Sequence, residues 1–248
     1  SMNIIGDIGN TEVKICLFSS EKKLIKKIYL KTNLINLSYL KKKLSKLIKK
    51  NVSINRILFS SVVPNIYKLI SSYFFKNFKI RCIEIKKLNL SKLIKIHVNK
   101  KQIGSDRICN AIGVNDNKNN YIIIDFGTAT TFDVVIKNKY LGGIIAPGLS
   151  LSLNKLISKA SLIPSLKLKK VKKVLGKNTV SAVRSGFYWG YIGLVQNIVN
   201  EISKQTKKKF KIILTGGFSF LFFKAIKQNA VIDKEITIKG LLKIINLL

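Results

Sequence analysis

Residues 121–128, Tyr121-Ile122-Ile123-Ile124-Asp125-Phe126-Gly127-Thr128, place an acid and a glycine at the end of an apolar run. The stretch Ile4-Ile5-Gly6-Asp7-Ile8-Gly9-Asn10-Thr11 has the same order. Asp7 matches Asp125 and Gly9 matches Gly127, 118 positions further on. In the first copy the chain continues as a second apolar run, 13–18, so the pair predicts a strand, a tight glycine turn and a return strand. Two copies of one unit in one chain predict two similar α/β domains. The polar, turn-forming run 116–120 lies between them and is the expected boundary, giving domains 1–117 and 118–248.

The remaining segments fit an α/β class. Leucines at helical spacing predict an amphipathic helix over 34–50. A buried-type strand is expected over 56–63, stopped by Pro64-Asn65, then a helix over 67–75 and a strand over 79–85. A helix over 106–114 would take Ser105 as its N-cap. A late strand runs into Thr215-Gly216-Gly217.

Composition narrows the functional classes. The chain has 248 residues, 47% of them hydrophobic, with a mean hydropathy of +0.19, enough to bury a sizeable core. No uncharged apolar run reaches the roughly 18 residues of a membrane helix. Asp7 and Glu12 stand where a secretory apolar region would lie. Cys16, Cys82 and Cys109 are odd in number and widely spaced, which predicts reduced thiols and a cytoplasmic location. The 46 basic residues against 11 acidic ones give a net charge of +35. Such charge raises the question of nucleic acid. Only Arg56, Arg81, Arg107 and Arg184 are arginines, however, and the lysines are scattered. Readers of phosphate and bases favour the bidentate arginine fork. The charge therefore reads as general composition, with no specific nucleic-acid or membrane partner expected.

Glycine lets the backbone approach a phosphate, and its amides then point at the anion. Hydroxyls at Thr11, Thr128 and Thr131 add donors, and Asp7 and Asp125 can hold a cation that bridges phosphates. Neither a Walker loop nor a dinucleotide fingerprint is present: Gly176-Lys177-Asn178-Thr179 has Val171 where the first glycine of the former should stand. A tight turn explains any one glycine segment alone, whereas the repeat favours phosphate binding. Of the few acids, Asp7, Asp106, Asp125 and Asp133 fall in or beside these segments. Asp106 can accept a proton from a hydroxyl and Arg107 can hold an anionic substrate group. The aromatic cluster Phe187-Tyr188-Trp189 with Tyr191 reads as a core or dimer face.

Taken in order, Asp7 to Thr11, Ser60-Ser61-Val62-Val63-Pro64, Gly104-Ser105-Asp106-Arg107, Asp125 to Thr131, residues 141–148, Gly176 to Thr179, Ser185-Gly186 and Thr215-Gly216-Gly217 resemble the type III pantothenate kinase family of the acetate-and-sugar-kinase, heat-shock-chaperone and actin superfamily. The resemblance implies two ribonuclease-H-like, actin-like ATPase domains with the site in an interdomain cleft. It implies ATP-dependent phosphorylation of pantothenate to 4′-phosphopantothenate, the first step towards coenzyme A. The first domain would carry the first phosphate motif and the catalytic acid; the second would carry the second phosphate motif, the cation site and the adenosine motif.

By the same resemblance Asp7, Ile8, Gly9, Asn10, Thr11, Glu12, Val13 and Lys14 would hold the ATP phosphates, with Thr128 adding a contact. Asp106 would be the general base. His97, Gly104, Ser105, Asp106, Arg107 and Thr179 would line the pantothenate site, Thr179 from the second subunit of a homodimer with a shared pocket. Asp125 would bind a monovalent cation, potassium or ammonium, and ATP would come with Mg²⁺. His97 stands where the family usually shows Tyr, and Ser105 where it usually shows Ala. The competing reading is a non-catalytic transcriptional accessory factor or nucleic-acid-binding homologue of the same fold. A factor freed from catalysis need not keep Asp7, Asp106, Asp125 and Thr179 together, and all four are present.

Overall fold

The computed structural model describes residues 1–248. The chain forms two compact units, one made of Ser1–Asn115 with Glu235–Leu248, the other of Asp116–Lys234.

In the first unit β1 (Met2–Ile8), β2 (Glu12–Phe18) and β3 (Leu24–Lys31) form an antiparallel meander. After α1 (Leu37–Leu47), β4 (Ile54–Ser61) lies parallel to β1. Beyond α2 (Pro64–Phe78), the short β5 (Ile83–Glu84) extends the sheet, whose order is β3-β2-β1-β4-β5. The short β6 (Lys95–Ile96) and α3 (Ser105–Val114) follow. A strand buried on both faces carries a continuous apolar run, and β1 shows it: Ile4, Ile5 and Ile8 are all fully buried. On one face Ile4, Ile8, Ile57 and Phe59 pack with Leu40 and Leu44 of α1 and Ile70 and Phe74 of α2.

Local chemistry moves several boundaries from their expected places. Thr32–Leu34 forms a separate 3-10 turn, and Asn36 accepts from the Tyr39 N–H at 2.8 Å, so α1 begins at Leu37. Pro64 does more than end β4: it occupies the first turn of α2, where its missing N–H costs nothing. Lys79, at φ 58°, closes α2, and Ile85–Lys87 coil into a 3-10 turn, so the strand expected over 79–85 shrinks to two residues. Gly104, rather than Ser105, is the N-cap of α3.

The second unit repeats this plan. β7 (Asn120–Phe126), β8 (Ala129–Ile136) and β9 (Lys139–Pro147) form the meander. Helices α4 (Leu149–Lys159) and α5 (Thr179–Thr206) lead to β10 (Lys211–Gly216), parallel to β7. After α6 (Ser219–Phe222) comes β11 (Ala230–Ile232), parallel to β10. Within this unit the order β9-β8-β7-β10-β11 matches β3-β2-β1-β4-β5 strand for strand. The repeated sequence thus marks a repeated sheet. Its core joins Ile122, Ile124, Phe132 and Val134 to Tyr191, Val195, Val199 and Ile202 of α5. Trp189, by contrast, is exposed.

One expectation fails. Residues 235–248 do not complete the second unit; α7 (Ile236–Ile245) returns to the first. Its buried residues Ile236, Ile238, Leu241, Ile244 and Ile245 pack towards β1, β4 and α3. Helices α3 and α7 meet at backbone distance. A Cβ on Gly240 would lie 2.0 Å from the Cys109 carbonyl oxygen, and one on Gly113 would lie 2.4 Å from that of Ile236. Lys243 then donates to the carbonyl oxygens of Ile112, Gly113 and Asn115 at 2.9, 3.0 and 3.0 Å, satisfying the end of α3. The Thr237 hydroxyl donates to Asn110 Oδ1 at 2.6 Å. No helix is long and apolar enough to cross a membrane.

Candidate active site

The repeated acids occupy equivalent places. Asp7 ends the central strand β1, opposite Ser60 on the parallel neighbour β4 and Lys14 on β2. Asp125 ends β7, opposite Thr215 on β10 and Thr131 on β8. Each carboxylate therefore stands just before a tight turn with a hydroxyl residue beside it on the parallel strand.

The first turn is closed by the Gly9 N–H on the Glu12 carbonyl at 2.9 Å. Thr32 braces it from outside: its hydroxyl donates to the Gly9 carbonyl at 2.9 Å and its N–H to that of Thr11 at 3.0 Å. Asn10, Thr11 and Glu12 are exposed on this turn. The side chains of Ile8 and Val13 lie in the core, so these two residues can serve a ligand only through their backbone. Lys14 is half-buried, its Nζ 3.4 Å from both carboxylate oxygens of Glu235. Lys27 reaches the same carboxylate at 3.3 Å, and both ammonium groups lie 5.5 Å from the Tyr29 ring centre. Beneath them burial pushes the Cys16 thiol up to about 11.

Asp106 sits in the first turn of α3. Its Oδ1 accepts from the Arg107 N–H at 2.9 Å. A Cβ on Gly104 would lie 2.7 Å from that oxygen, so a glycine is needed for the carboxyl to fold back over the helix start. Burial pushes the Asp106 carboxyl above the ordinary carboxylate range, against the opposing pull of the Arg107 N–H and guanidinium and of Lys86. Burial pushes the Cys109 thiol up, with the charges of Asp7, Asp106 and Glu84 adding to the rise and a hydrogen bond with Ser60 opposing it. Asp7, Ser60, Gly104, Ser105, Asp106 and Arg107 thus gather at the end of β1 and β4.

In the second unit the Gly127 N–H closes the turn on the Ala129 carbonyl at 3.1 Å, and Thr128 is exposed on it. The Ser219 hydroxyl donates to the Gly216 carbonyl at 2.9 Å, shaping the glycine pair after β10. Asp133, grouped in sequence with the site acids, is fully buried and accepts from Tyr140 at 2.5 Å, a core role. Thr179 is exposed at the start of α5, which Asn178 caps with Ser181 in a reciprocal box. The packed part of α5 is at Tyr191, which donates to the Pro147 carbonyl at 2.7 Å. At 1.5 Å per residue Thr179 lies roughly 18 Å further along that axis. His97 follows β6 and is exposed.

Sequence reasoning passed over Glu84 and Lys243. Glu84 carried a usable signal: it is an acid at the end of a strand in a chain with 11 acids. Lys243 carried none, because nothing local marks one lysine among many as a helix cap.

Two units of one ribonuclease-H-like topology, each with an acid and a glycine turn at the end of its central strand, define a phosphotransferase fold of the sugar-kinase type. Solved structures agree at the level of fold. A Campylobacter jejuni chain described as a Baf family transcriptional activator aligns with a TM-score of 0.63 at 20% identity, covering 98% of each chain. A 2-dehydro-3-deoxygalactonokinase protein from Sinorhizobium meliloti aligns at 0.61 with 9% identity, covering 97% of each. A model of the type III pantothenate kinase family matches residues 3–201. The type III pantothenate kinase of Pelagibacter ubique is 60% identical over 242 residues, 98% of both chains. That of a Sulfurihydrogenibium species is 37% identical over 246 residues, 95% of this chain and 96% of the relative. The chain belongs to the type III pantothenate kinase family.

Proposed function

We propose that the chain transfers the γ-phosphoryl group of ATP to the terminal hydroxyl of pantothenate, giving ADP and 4′-phosphopantothenate for coenzyme A synthesis. The observation that carries the chemistry is the desolvated Asp106 carboxyl at the head of α3, beside Arg107. Asp106 takes the hydroxyl proton as the new O–P bond forms, and the leaving bond's electrons stay with ADP. Arg107 faces the pantothenate carboxylate. The turn from Asp7 to Lys14 and the turn at Thr128 hold the phosphates through backbone amides and hydroxyls. Gly104 and Ser105 shape the pantothenate pocket, with His97 at its edge.

Asp7 and Asp125, with Ser60 and Thr215 beside them, are hard oxygen donors of the kind Mg²⁺ and K⁺ take. Asp7 would hold Mg²⁺ through water, and Asp125 a monovalent cation, potassium or ammonium. The ions supply positive charge against the phosphate oxygens.

A homodimer fits the exposed face of α5. Cβ atoms added to Gly186, Gly190 and Gly193 would meet nothing within 4 Å, and Trp189 is 37% exposed beside them. A second copy on that face would bring its Thr179 to the pantothenate site. Three cysteines without disulfides go with a cytoplasmic place of action. The accessory-factor reading rested on the charge and on relatives described as helpers of transcription, and it gains no residue from the site.

The test incubates the protein with ATP, Mg²⁺ and pantothenate, in potassium or in sodium, and weighs the product by mass spectrometry. Potassium-dependent 4′-phosphopantothenate that vanishes in Asp106→Asn is the expected result. A folded protein that makes none under either cation overturns the reading.

A further inference from the structure

Glu84 lies outside every motif that the function uses, yet its carboxylate is a junction. Oε1 accepts from the Ser105 hydroxyl at 2.6 Å and from the Ser61 N–H at 3.3 Å. Oε2 accepts from the Lys86 N–H at 2.7 Å. These donors come from three separate segments: the first residue of α3, the end of β4, and the 3-10 turn after β5. The register explains the meeting, since Glu84 pairs with Phe59 on β4, two residues before Ser61.

The α3 end of this junction has no other polar anchor on Ser105. That residue is 1% exposed and stands first in α3, after the cap position Gly104. Its hydroxyl goes to a carboxylate instead, a charge-assisted bond placed at the positive end of a helix. The neighbouring residue is Asp106. The same β4 end carries Val62, whose N–H donates to the Ile8 carbonyl at 3.0 Å and whose Cγ1 would lie 3.5 Å from a Cβ on Gly104. One carboxylate therefore ties the α3 start to the strand ends that carry Asp7 and Ser60.

We propose that Glu84 is a positioning residue for Asp106, fixing the first turn of α3 through Ser105 against β4. The proposal rests on Asp106 being the proton acceptor of the proposed reaction. Glu84 touches neither substrate; it holds the turn from which the base acts. Misplacement of a catalytic group by about 1 Å costs on the order of 100-fold in rate. A glutamine keeps a carbonyl oxygen for Ser105 and Ser61, whereas an alanine keeps nothing.

The experiment measures kcat and KM for the parent, Glu84→Ala, Glu84→Gln, Ser105→Ala and the Glu84→Ala/Ser105→Ala double variant. Hydrogen exchange over residues 103–109 is followed alongside. Glu84→Ala is expected to lower kcat by about 10- to 100-fold with little change in either KM, and to speed exchange in the α3 start. Glu84→Gln is expected to restore most of both, the rescue a mere charge effect would not give. Ser105→Ala is expected to reproduce part of the loss and to be non-additive with Glu84→Ala. A folded Glu84→Ala with parental kcat and exchange overturns the proposal, as does equal loss in Gln and Ala. If Glu84→Ala fails to fold, Ser105→Ala decides, and parental kcat and exchange there overturn it. If the parent makes no 4′-phosphopantothenate, the functional reading fails by itself, and the exchange data still decide whether Glu84 orders the α3 start.

Discussion

In the proposed reaction Asp106 couples activity to a cost in stability. Its folded carboxyl titrates above the ordinary range because burial disfavours the charge. An acid raised on folding stabilises the fold in its protonated form, and that contribution is lost as pH rises through the raised value. Above the ordinary carboxylate range the buried acid is therefore a local burden, and the neutral isostere lacks it. Asp106→Asn is expected to raise the melting temperature at pH 7 while cutting kcat by about 100- to 10,000-fold. Calorimetry and turnover on one preparation check both halves. In the parent, kcat/KM should fall on the acid side at a pH above that of an ordinary aspartate, since the proposed base must be ionised to act. Sequence made Asp106 visible through its glycine and arginine neighbours. Its partners were not visible: Ser105 looked like a helix cap, because hydroxyls before helices usually are. Here the Glu84 carboxylate is a stronger acceptor site for that hydroxyl, and Glu84 sits far away in sequence.

Among the elements, the hairpins were legible because alternation, an acid and a glycine turn are all local signals. The ends of α1 and β5 were not, since Asn36 capping and the 3-10 turn at Ile85–Lys87 depend on single bonds. The docking of α7 was illegible for another reason: an apolar helix face does not say which sheet it covers. Its glycines tell more. Gly240→Ala would drive a methyl to 2.0 Å from the Cys109 carbonyl oxygen and part α3 from α7. A loss of about 1–3 kcal/mol is expected by urea denaturation. Gly190 is the contrast, with open space where a Cβ would go. At dilutions where the chain is monomeric, Gly190→Ala should stabilise by about 0.5–1 kcal/mol through helix propensity. At concentrations that favour the proposed dimer the same methyl should weaken self-association, read by light scattering.

For the molecule as a whole, the net charge of +35 strains the fold by self-repulsion while drawing in the anions of the proposed reaction. Self-repulsion between surface lysines acts over about 10 Å at 0.1 M salt and shrinks as salt is added. The melting temperature is expected to rise between about 50 mM and about 500 mM KCl, with NaCl giving the same rise. A rise in potassium alone would point to the proposed cation site at Asp125 instead. The repeat at Asp7 and Asp125 disclosed the two-unit plan in sequence, because each copy carries its own turn chemistry. It did not disclose where the chain crosses between them, since the return at Glu235 is marked by no glycine or proline.

That return sets the order in which the protein can take shape on the ribosome. Residues 116–234 emerge as one uninterrupted stretch and hold β7 to β11 of their sheet. The first unit emerges earlier but lacks α7 until residues 236–245 clear the exit tunnel. Its β1 and β4 must wait, with the apolar face meant for Leu241 and Ile244 still bare. At a synthesis rate of about 5–20 residues per second the wait lasts several seconds. The part of the nascent chain made first is thus finished last, and a chaperone arriving early would find its surface there.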